Sequence, residues 1–339
     1  FERLMEAVLR GLLWKRCMVY IDDIIVYGCD FESTLDNLVE VLDRLEGYGL
    51  KLKPSKCELF KSELLYLGFL VNGEGVKPDP NKVKAVRDWP RPHNIADIRS
   101  FLGFANYHRR FIRDFATVAS PLTGLTKKST RWKWTLTQER AFSSIKQSLM
   151  TAPLLNHPHS GASFVLDTDA SAFGIGGVLS QVVDGVERVL SYASKTMSDS
   201  QRNYCTTHRE LLAVVEMTKH FRPYLWGRRF TLRTDHSSLK WLLNYRDADG
   251  MLSRWLSKLQ DYDFEIVHRA GKSHGNADGL SRCHKCKNPD CASNQTVPVI
   301  SSSSSDELDY DGWHRAVPVR RVRRRRRHNF CGWARGNPL

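Results

Sequence analysis

The sequence lacks any apolar stretch that approaches the ~20 residues needed to cross a membrane, so we expect no membrane insertion. Its opening, FERLMEAVLRGLLWKR, is amphipathic and charged, and it has no long apolar core of the kind found in a secretion signal. It does not begin with methionine, and we expect the chain to begin within a domain. The eight cysteines are mostly scattered singly through apolar segments, which indicates reduced thiols in an intracellular protein rather than a disulfide framework.

The composition indicates a globular protein that binds a polyanion. The 339 residues are 41% hydrophobic, enough for two or three modest cores, which favours several domains. The formal net charge is +14 and 10% of the residues are aromatic, so nucleic acid is the expected partner. Part of the excess charge lies in one arginine run at 320–327, and the rest of the chain is less basic.

Four segments differ in their pattern of apolar residues. Residues 1–75 alternate between helix and hairpin, which predicts a compact α+β domain. Residues 76–160 are punctuated by prolines and predict a series of short helices. Residues 161–282 predict three strands, a long helix, and then alternating strands and helices, which is typical of an α/β domain with one mixed sheet. Residues 283–339 show no periodicity, and we expect them to be disordered.

Four acids in 161–282 occur where a sheet could direct them toward one point. Asp169 and Asp235 each end a predicted strand, Glu210 lies in the long helix, and Asp278 begins the last turn. Side chains at the carboxyl ends of strands reach the crevice where ligands bind in open α/β sheets. Clustered carboxylates oppose folding unless cations neutralise them, and their hard oxygens suit Mg²⁺ or Mn²⁺. We therefore predict a site for two such ions that could cleave a phosphodiester.

The same segment resembles the RNase H domain of gypsy-type LTR retrotransposons. The matching strings are TDASAFGIGGVLSQ, SYASKTMSDSQRNY, HRELLAVV, RTDHSSLKWL and HRAGKSHGNADGLSR, which cover nearly all of 162–282. The resemblance implies cleavage of RNA in an RNA–DNA hybrid, with Asp169, Glu210, Asp235 and Asp278 as catalytic metal ligands. It also implies that His268 helps product or proton leave, although a lone histidine there could simply be exposed.

The resemblance also implies contacts between this segment and nucleic acid. Arg209 is a candidate phosphate contact, and Lys195 and Arg202 are further candidates by charge alone. The glycine-rich segment 174–177 permits close approach of the backbone, and the family uses such a hairpin beside substrate RNA. A bulged strand is an equally good explanation of these glycines, and both explanations stay open.

Two adjacent acids in 1–75 resemble a different site. They follow Tyr20 as Tyr20-Ile21-Asp22-Asp23, between apolar runs, at a hairpin turn where aspartate is ordinary. With FERLMEAVL before them and YLGFLVNGEGV after them, they resemble the Tyr-x-Asp-Asp motif of reverse transcriptases. This implies that Asp22 and Asp23 are metal ligands of a polymerase. It also implies nucleic-acid contacts from Tyr20 and from a primer-gripping hairpin at 66–75 that includes Gly68.

Segment 76–160 resembles the thumb and connection of the same enzymes. The matching strings are IADIRSFLGFANYHRRFI, PLTGLTKK and AFSSIKQSLMTAPLL. Reverse transcriptases also need an aspartate on an upstream palm strand and fingers that close on the nucleotide, and this sequence contains neither. RNA-directed DNA polymerase activity is therefore implied by the family, but we expect this chain to have lost it.

The tail at 283–339 carries weaker signals. Cys283, Cys286 and Cys291 lie close enough to suggest zinc, but no fourth ligand is evident and we expect no zinc there. The arginine run could bind nucleic acid, act as a nuclear signal, or be out-of-frame sequence in a decayed copy. In the parent polyprotein we expect a protease and an integrase as partners, within cytoplasmic virus-like particles or in the nucleus. Nothing indicates the oligomeric state.

The predicted chain is multidomain, with α/β and α+β parts. It comprises a partial reverse transcriptase palm at 1–75, a helical thumb and connection at 76–160, an RNase H-like mixed sheet with helices at 161–282, and a disordered basic tail at 283–339. The predicted function is metal-dependent endonucleolytic cleavage of RNA in RNA–DNA hybrids. The alternative is a non-catalytic, nucleic-acid-binding remnant of a retroelement, and intact acids at all four positions favour the enzyme.

Overall fold

The computed structural model describes residues 1–128, 130–236, 239 and 250–268, together with the backbone of 315–320 and 322–323. These residues belong to two compact units, 1–73 with 308–339 and 74–307. Four cysteines within the described residues carry free thiols, as expected from their spacing: Cys17, Cys29, Cys57 and Cys205. None of the described helices has the length and apolar character required to cross a bilayer.

Helices and hairpins alternate along the first unit, as its sequence predicts. The elements are α1 (Glu2–Val8), β1 (Cys17–Tyr20), β2 (Asp23–Gly28), α2 (Phe31–Gly47), β3 (Lys51–Leu52), β4 (Glu63–Tyr66) and β5 (Phe69–Asn72). The β1–β2 and β4–β5 pairs are antiparallel. Helix α2 begins at Asp30, whose side chain accepts a 2.7 Å hydrogen bond from the Ser33 amide and so satisfies an otherwise unpaired donor. Leu38 and Val41 bury one face of α2 against the hairpin.

The second unit begins with a helical layer. Its elements are β6 (Gly75–Pro78), α3 (Pro80–Arg87), α4 (Ile95–Tyr107), α5 (Phe115–Leu125), α6 (Leu136–Met150) and β7 (Leu155–Asn156). Polar side chains cap three of these helices at their first turns: Asp79 for α3, Asn94 for α4 and Thr135 for α6. The rings of Phe101 and Phe142 pack 4.6 Å apart in the centre of the layer. The short helices predicted for this segment are confirmed.

A five-stranded mixed sheet follows. Its elements are β8 (Phe164–Ala170), β9 (Gly174–Val183), β10 (Val186–Thr196), α7 (Asp199–Arg202), α8 (Thr206–His220), α9 (Arg222–Leu225), β11 (Phe230–Thr234), α10 (Gly250–Gln260) and β12 (Phe264–His268). The strand order is β10-β9-β8-β11-β12. The first three strands form an antiparallel meander, whereas β8, β11 and β12 are parallel. The predicted mixed sheet covered by helices is confirmed.

Helix α8 supplies more buried residues to the core of this sheet than any other described element. Leu211, Val214 and Met217 are buried together with Phe164 and Leu166 of β8. A helix whose apolar residues continue almost all round is expected when both of its sides are covered, and α10 packs on its outer side. The core therefore holds α8 against β8 and β9, with Glu210 near the beginning of the helix.

Two short strands of the tail belong to the first unit. The backbone of β13 (Arg315–Arg320) pairs with β2, and that of β14 (Val322–Arg323) pairs with β3, both antiparallel. The cysteines at 283, 286 and 291 lie outside the described residues, so the expected absence of zinc stays a prediction. The disorder predicted for the remainder of 283–339 stays a prediction as well.

Candidate metal centre and its surroundings

Three of the four predicted acids come together in the second unit. Carboxylate oxygens of Asp169, Glu210 and Asp235 lie within 4.8 Å of one another. Asp169 lies near the carboxyl end of β8, and Asp235 directly follows β11. Because β8 and β11 are parallel neighbours, their carboxyl ends share one edge of the sheet. The fourth predicted acid, Asp278, lies outside the described residues.

Glu210 is the most deeply placed acid of the three. Its residue is 4% exposed on α8. Burial, and then the negative charges of Asp169 and Asp235, raise the pKa of Glu210 to about 8, against a hydrogen bond from the Ala170 backbone and the positive charge of Arg209 that lower it. Like charges at short range and desolvation both disfavour the ionised carboxylate. In the metal-free protein, Glu210 therefore keeps its proton at pH values well above those at which a glutamate ordinarily ionises.

The three acids fit a hard divalent cation. Within the described residues, the Glu210 Oε2 atom is buried and accepts no hydrogen bond. A buried acceptor of this kind costs free energy unless a donor or a cation satisfies it. Oxygen ligands from carboxylates are those that Mg²⁺ and Mn²⁺ prefer. A cation here would satisfy the unpaired oxygen and relieve the repulsion among the three side chains.

The three predicted phosphate contacts lie on three different elements: Arg209 on α8, Lys195 on β10 and Arg202 on α7. Arg209 approaches the Ser171 carbonyl at 3.5 Å and Thr206 Oγ1 at 3.4 Å, between α8 and the β8–β9 turn. Lys195 pairs with a glutamate of α8 at 2.8 Å. Arg202 lies over the exposed ring of Phe173 in the same turn, 5.7 Å from its centroid. Contact between these three basic side chains and nucleic acid stays a prediction.

His268 ends β12 and lies next to the acid cluster. Its Nε2 atom is 3.0 Å from the carbonyl oxygen of Asp235, and the residue is exposed. The parallel pairing of β12 with β11 places the two residues at the same sheet edge. The structure thus brings the predicted histidine to the predicted acids, while its role in catalysis stays a prediction.

The glycines of β9 meet other parts of the chain. A Cβ atom on Gly174 would lie 2.9 Å from Thr117 Oγ1, and one on Gly176 would lie 2.5 Å from Asp114 Oδ1, both at the beginning of α5. A Cβ atom on Gly177 would lie 2.7 Å from Met217 of α8. The strand pairing is irregular between Val189 and Ser191 of β10, not at these glycines. The close approach expected for the segment is therefore made by α5 and α8.

An arginine forms ion pairs across the strands beside the acids, and the sequence did not predict them. Arg233 of β11 forms an ion pair with Asp167 of β8 at 2.6 Å, and it also binds Glu187 of β10. Asp167 and Arg233 each stand two residues before a predicted metal ligand. That spacing was visible in the sequence, but the pairing depends on strand order, which the sequence does not display.

The Tyr-Ile-Asp-Asp motif forms the predicted hairpin in the first unit. Tyr20 pairs with Asp23 across the β1–β2 turn, and Ile21 adopts a left-handed backbone with φ of 54°. Tyr20 is 50% exposed. Tyr66, at the end of β4, interacts with the charge of Asp23: burial, and then that charge, raise the pKa of Tyr66 to about 12. The hairpin therefore presents the tyrosine and the Asp22–Asp23 pair at one turn, and metal binding there stays a prediction.

The predicted primer-gripping hairpin is also a tight turn. Leu67 and Gly68 both have positive φ, 49° and 75°, between β4 and β5. Two-residue hairpins of this handedness match the twist of the flanking strands and favour glycine. Gly68 is therefore explained by backbone geometry, and its contact with nucleic acid stays a prediction.

Family models match both units. Residues 1–71 match the reverse transcriptase (RNA-dependent DNA polymerase) family, and residues 159–262 match the RNase H-like domain found in reverse transcriptase. The Pol polyprotein of transposon 297 from Drosophila melanogaster is 41% identical over 283 residues, which are 83% of this chain and 26% of that protein. The gypsy polyprotein of the same organism is 35% identical over 295 residues, 83% of this chain and 28% of that protein.

A fission yeast protein extends the same similarity. The transposon Tf2-3 polyprotein of Schizosaccharomyces pombe is 32% identical over 315 residues, which are 91% of this chain and 23% of that protein. The chain therefore spans about a quarter of the length of these curated relatives.

Solved structures share the fold. The foamy viral protease-reverse transcriptase in complex with RNA/DNA hybrid has a TM-score of 0.67 at 19% identity and covers 91% of this chain and 40% of that one. The same viral protein with dsDNA has a TM-score of 0.65 at 21% identity, covering 79% of this chain and 58% of that one. At these identities the likeness establishes the architecture alone.

Proposed function

We propose that metal-dependent cleavage of RNA in RNA–DNA hybrids is the activity of this chain, which belongs to the gypsy-type LTR-retrotransposon Pol family and carries its reverse transcriptase and RNase H segments. The convergence of Asp169, Glu210 and Asp235 at one sheet edge is the observation that carries the proposal. The catalytic domain would be 161–282, with Asp278 as the fourth ligand. The hybrid seen with the foamy viral protein makes it the natural first substrate to test.

Each group at the sheet edge has a role in this proposal. Asp169, Glu210, Asp235 and Asp278 would hold Mg²⁺ or Mn²⁺. Two such ions would activate a water and stabilise the leaving oxygen of the phosphodiester. Arg209, beside Glu210, would attract a phosphate of the bound strand.

His268 would act at the rim of this site. It is exposed, and its Nε2 atom lies 3.0 Å from the carbonyl oxygen of Asp235, beside the acids. Its proposed role is to assist departure of the product or of a proton.

The reverse transcriptase segment has a separate proposed role. Asp22 and Asp23 would be ligands of a polymerase site, and the 66–75 hairpin with Gly68 would hold a primer strand. Polymerase activity follows from the family, and its loss in this chain stays a prediction. A protease and an integrase remain the proposed partners, and virus-like particles in the cytoplasm the proposed location.

Cleavage of a hybrid carrying labelled RNA tests the nuclease proposal. The full chain should cut the RNA strand with Mg²⁺ or Mn²⁺ and not in EDTA. Asp169→Asn should reduce the rate by at least about 100-fold, because even outer partners of metal ligands cost about 10–100-fold when removed. The matched control is Asp199→Asn, an aspartate of α7 whose side chain is 90% exposed.

Hybrid binding, measured in EDTA for all three proteins, separates the two candidate functions. If the full chain binds the hybrid but cuts it in neither metal, the non-catalytic nucleic-acid-binding alternative replaces the enzyme. If Asp169→Asn cuts as fast as the full chain, the assigned site is wrong.

A further inference from the structure

A polar network ties together the strands that carry the acids. The Arg233 Nη2 atom lies 2.6 Å from Asp167 Oδ2, and both side chains are nearly buried, 14% and 13% exposed. Arg233 also donates to both oxygens of Glu187, and its Nη1–Oε2 distance is 3.2 Å. Ser180 Oγ donates to Glu187 at 2.8 Å. One guanidinium thus connects β8, β10 and β11, and β9 joins through its serine.

The register places this network directly before the candidate metal centre. Asp167 and Arg233 are partners in the parallel β8–β11 pair. Two residues further along each strand come Asp169 and Asp235. At roughly 3.3 Å of rise per residue, the ion pair lies within about 7 Å of the acids along the strand direction. Anything that shifts β8 against β11 here changes the separation of the two ligands.

The acids themselves push these strands apart. Carboxylate oxygens of Asp169, Glu210 and Asp235 lie within 4.8 Å of one another, and like charges this close repel until a cation neutralises them. The guanidinium of Arg233 is always charged, and it binds the carboxylates of Asp167 and Glu187. Its planar fork can bind two carboxylates at once in a fixed geometry.

We propose that Arg233 is a positioning residue of the metal centre, which holds β8 and β11 in register through Asp167 and Glu187 and so sets the separation of Asp169 and Asp235. The proposal rests on the proposed nuclease function. Arg233 touches neither substrate nor the reacting atoms, and it acts through the two aspartates. Its removal should weaken binding of the divalent cation more than it slows the chemical step.

Metal titration of the full chain tests this role. Arg233→Met should raise the Mg²⁺ concentration for half-maximal cleavage by about 10–100-fold, the usual cost of losing an outer partner of a metal ligand. The rate at saturating Mg²⁺ should stay within a few-fold of the unchanged protein, and Arg233→Lys should recover part of the affinity. The matched control is Arg229→Met, whose exposed side chain pairs loosely with Glu265 at 3.9 Å just before β11.

A second variant guards against simple misfolding. Arg233→Met leaves the nearly buried carboxylate of Asp167 and the partly exposed carboxylate of Glu187 without their cation, which destabilises a protein by itself. The triple variant Asp167→Asn, Glu187→Gln, Arg233→Met removes those charges, and it also removes the ion pairs that connect β8, β10 and β11. We expect the triple variant to regain thermal stability while its Mg²⁺ affinity, measured by calorimetry without substrate, stays weak.

The outcomes separate this inference from the nuclease proposal. If the triple variant is stable and binds Mg²⁺ like the unchanged chain, Arg233 has a structural role only and the inference is wrong. The same holds if Arg233→Met lowers the melting temperature without changing Mg²⁺ dependence. If the unchanged chain binds Mg²⁺ but does not cleave, the nuclease proposal fails while the positioning role is still decided by calorimetry. If it binds no Mg²⁺, both are overturned.

Discussion

Replacing Glu210 by glutamine should stabilise the metal-free protein at alkaline pH. The carboxyl is buried beside two other acids, and its pKa is raised to about 8. In the unfolded chain the same group ionises near its ordinary value of 4.5. Between these values the folded state keeps a proton that the unfolded state has released. Stability is therefore greatest below the unfolded pKa and is lost as pH rises through the folded pKa.

The size of the effect follows from the distance between the two pKa values. Each pH unit between them removes about 1.4 kcal/mol from the free energy of unfolding. By about pH 8.5 the loss is on the order of 3–5 kcal/mol, which the neutral glutamine avoids. At roughly 2–4 °C per kcal/mol for a unit of this size, the variant should melt about 6–20 °C higher. At about pH 4.5 the two proteins should melt together, because the glutamate is then neutral in the folded state.

Thermal melting in EDTA at several pH values measures this difference. The control is Glu216→Gln on the same helix, because this glutamate is paired with Lys195 and is not one of the three clustered acids. Adding Mg²⁺ should reverse the order of the two melting temperatures, since the unchanged protein binds the cation through the Glu210 carboxylate, which the variant lacks. A stabilisation that does not grow between about pH 5 and 8 would show that burial and the neighbouring acids do not raise the pKa of Glu210.

Three further predictions concern other sites. Gly176→Ala should destabilise the second unit by about 1–3 kcal/mol, because the added Cβ would lie 2.5 Å from Asp114 Oδ1. The control Gly103→Ala, in a helix with open space around the added Cβ, should stabilise the unit. Equal urea midpoints for the two variants would contradict this prediction. Burial lowers the pKa of His108. The free energy of unfolding therefore falls as pH falls, because the unfolded chain binds a proton at a higher pH than the folded protein does. His108→Phe should reduce that loss, by up to about 1.4 kcal/mol per pH unit, in urea unfolding at about pH 5 and 7.5. Asp278→Asn should abolish hybrid cleavage as Asp169→Asn does, and an active variant would remove Asp278 from the ligand set.

Local patterns carried most of the fold. The period of apolar residues in α2 and α8, and the alternation in β8 and β11, depend on neighbours within a few residues and can be read along the chain. Helix beginnings were equally local, since capping residues such as Asp30 and Asn94 bond to amides two or three positions away. The acid at the end of each strand was visible for the same reason.

The order of the strands in space decided the rest. Nothing in the sequence shows that Arg233 lies beside Asp167 and Glu187, because the three residues come from strands widely separated along the chain. The sequence could not show that α5 packs against the glycines of β9, a contact that neither of the two sequence-based explanations included. The elevated pKa of Glu210 likewise depends on distances among three separate elements.

The sequence by itself determined the secondary structure, the family and the identity of the acids, because each of these is recorded in the residue types of short segments. The tertiary structure alone decided how closely three acids approach, which arginine pairs with carboxylates of the neighbouring strands, and which surfaces the glycines meet. These features arise from Coulomb repulsion, desolvation and packing, all of which depend on separations through space rather than along the chain.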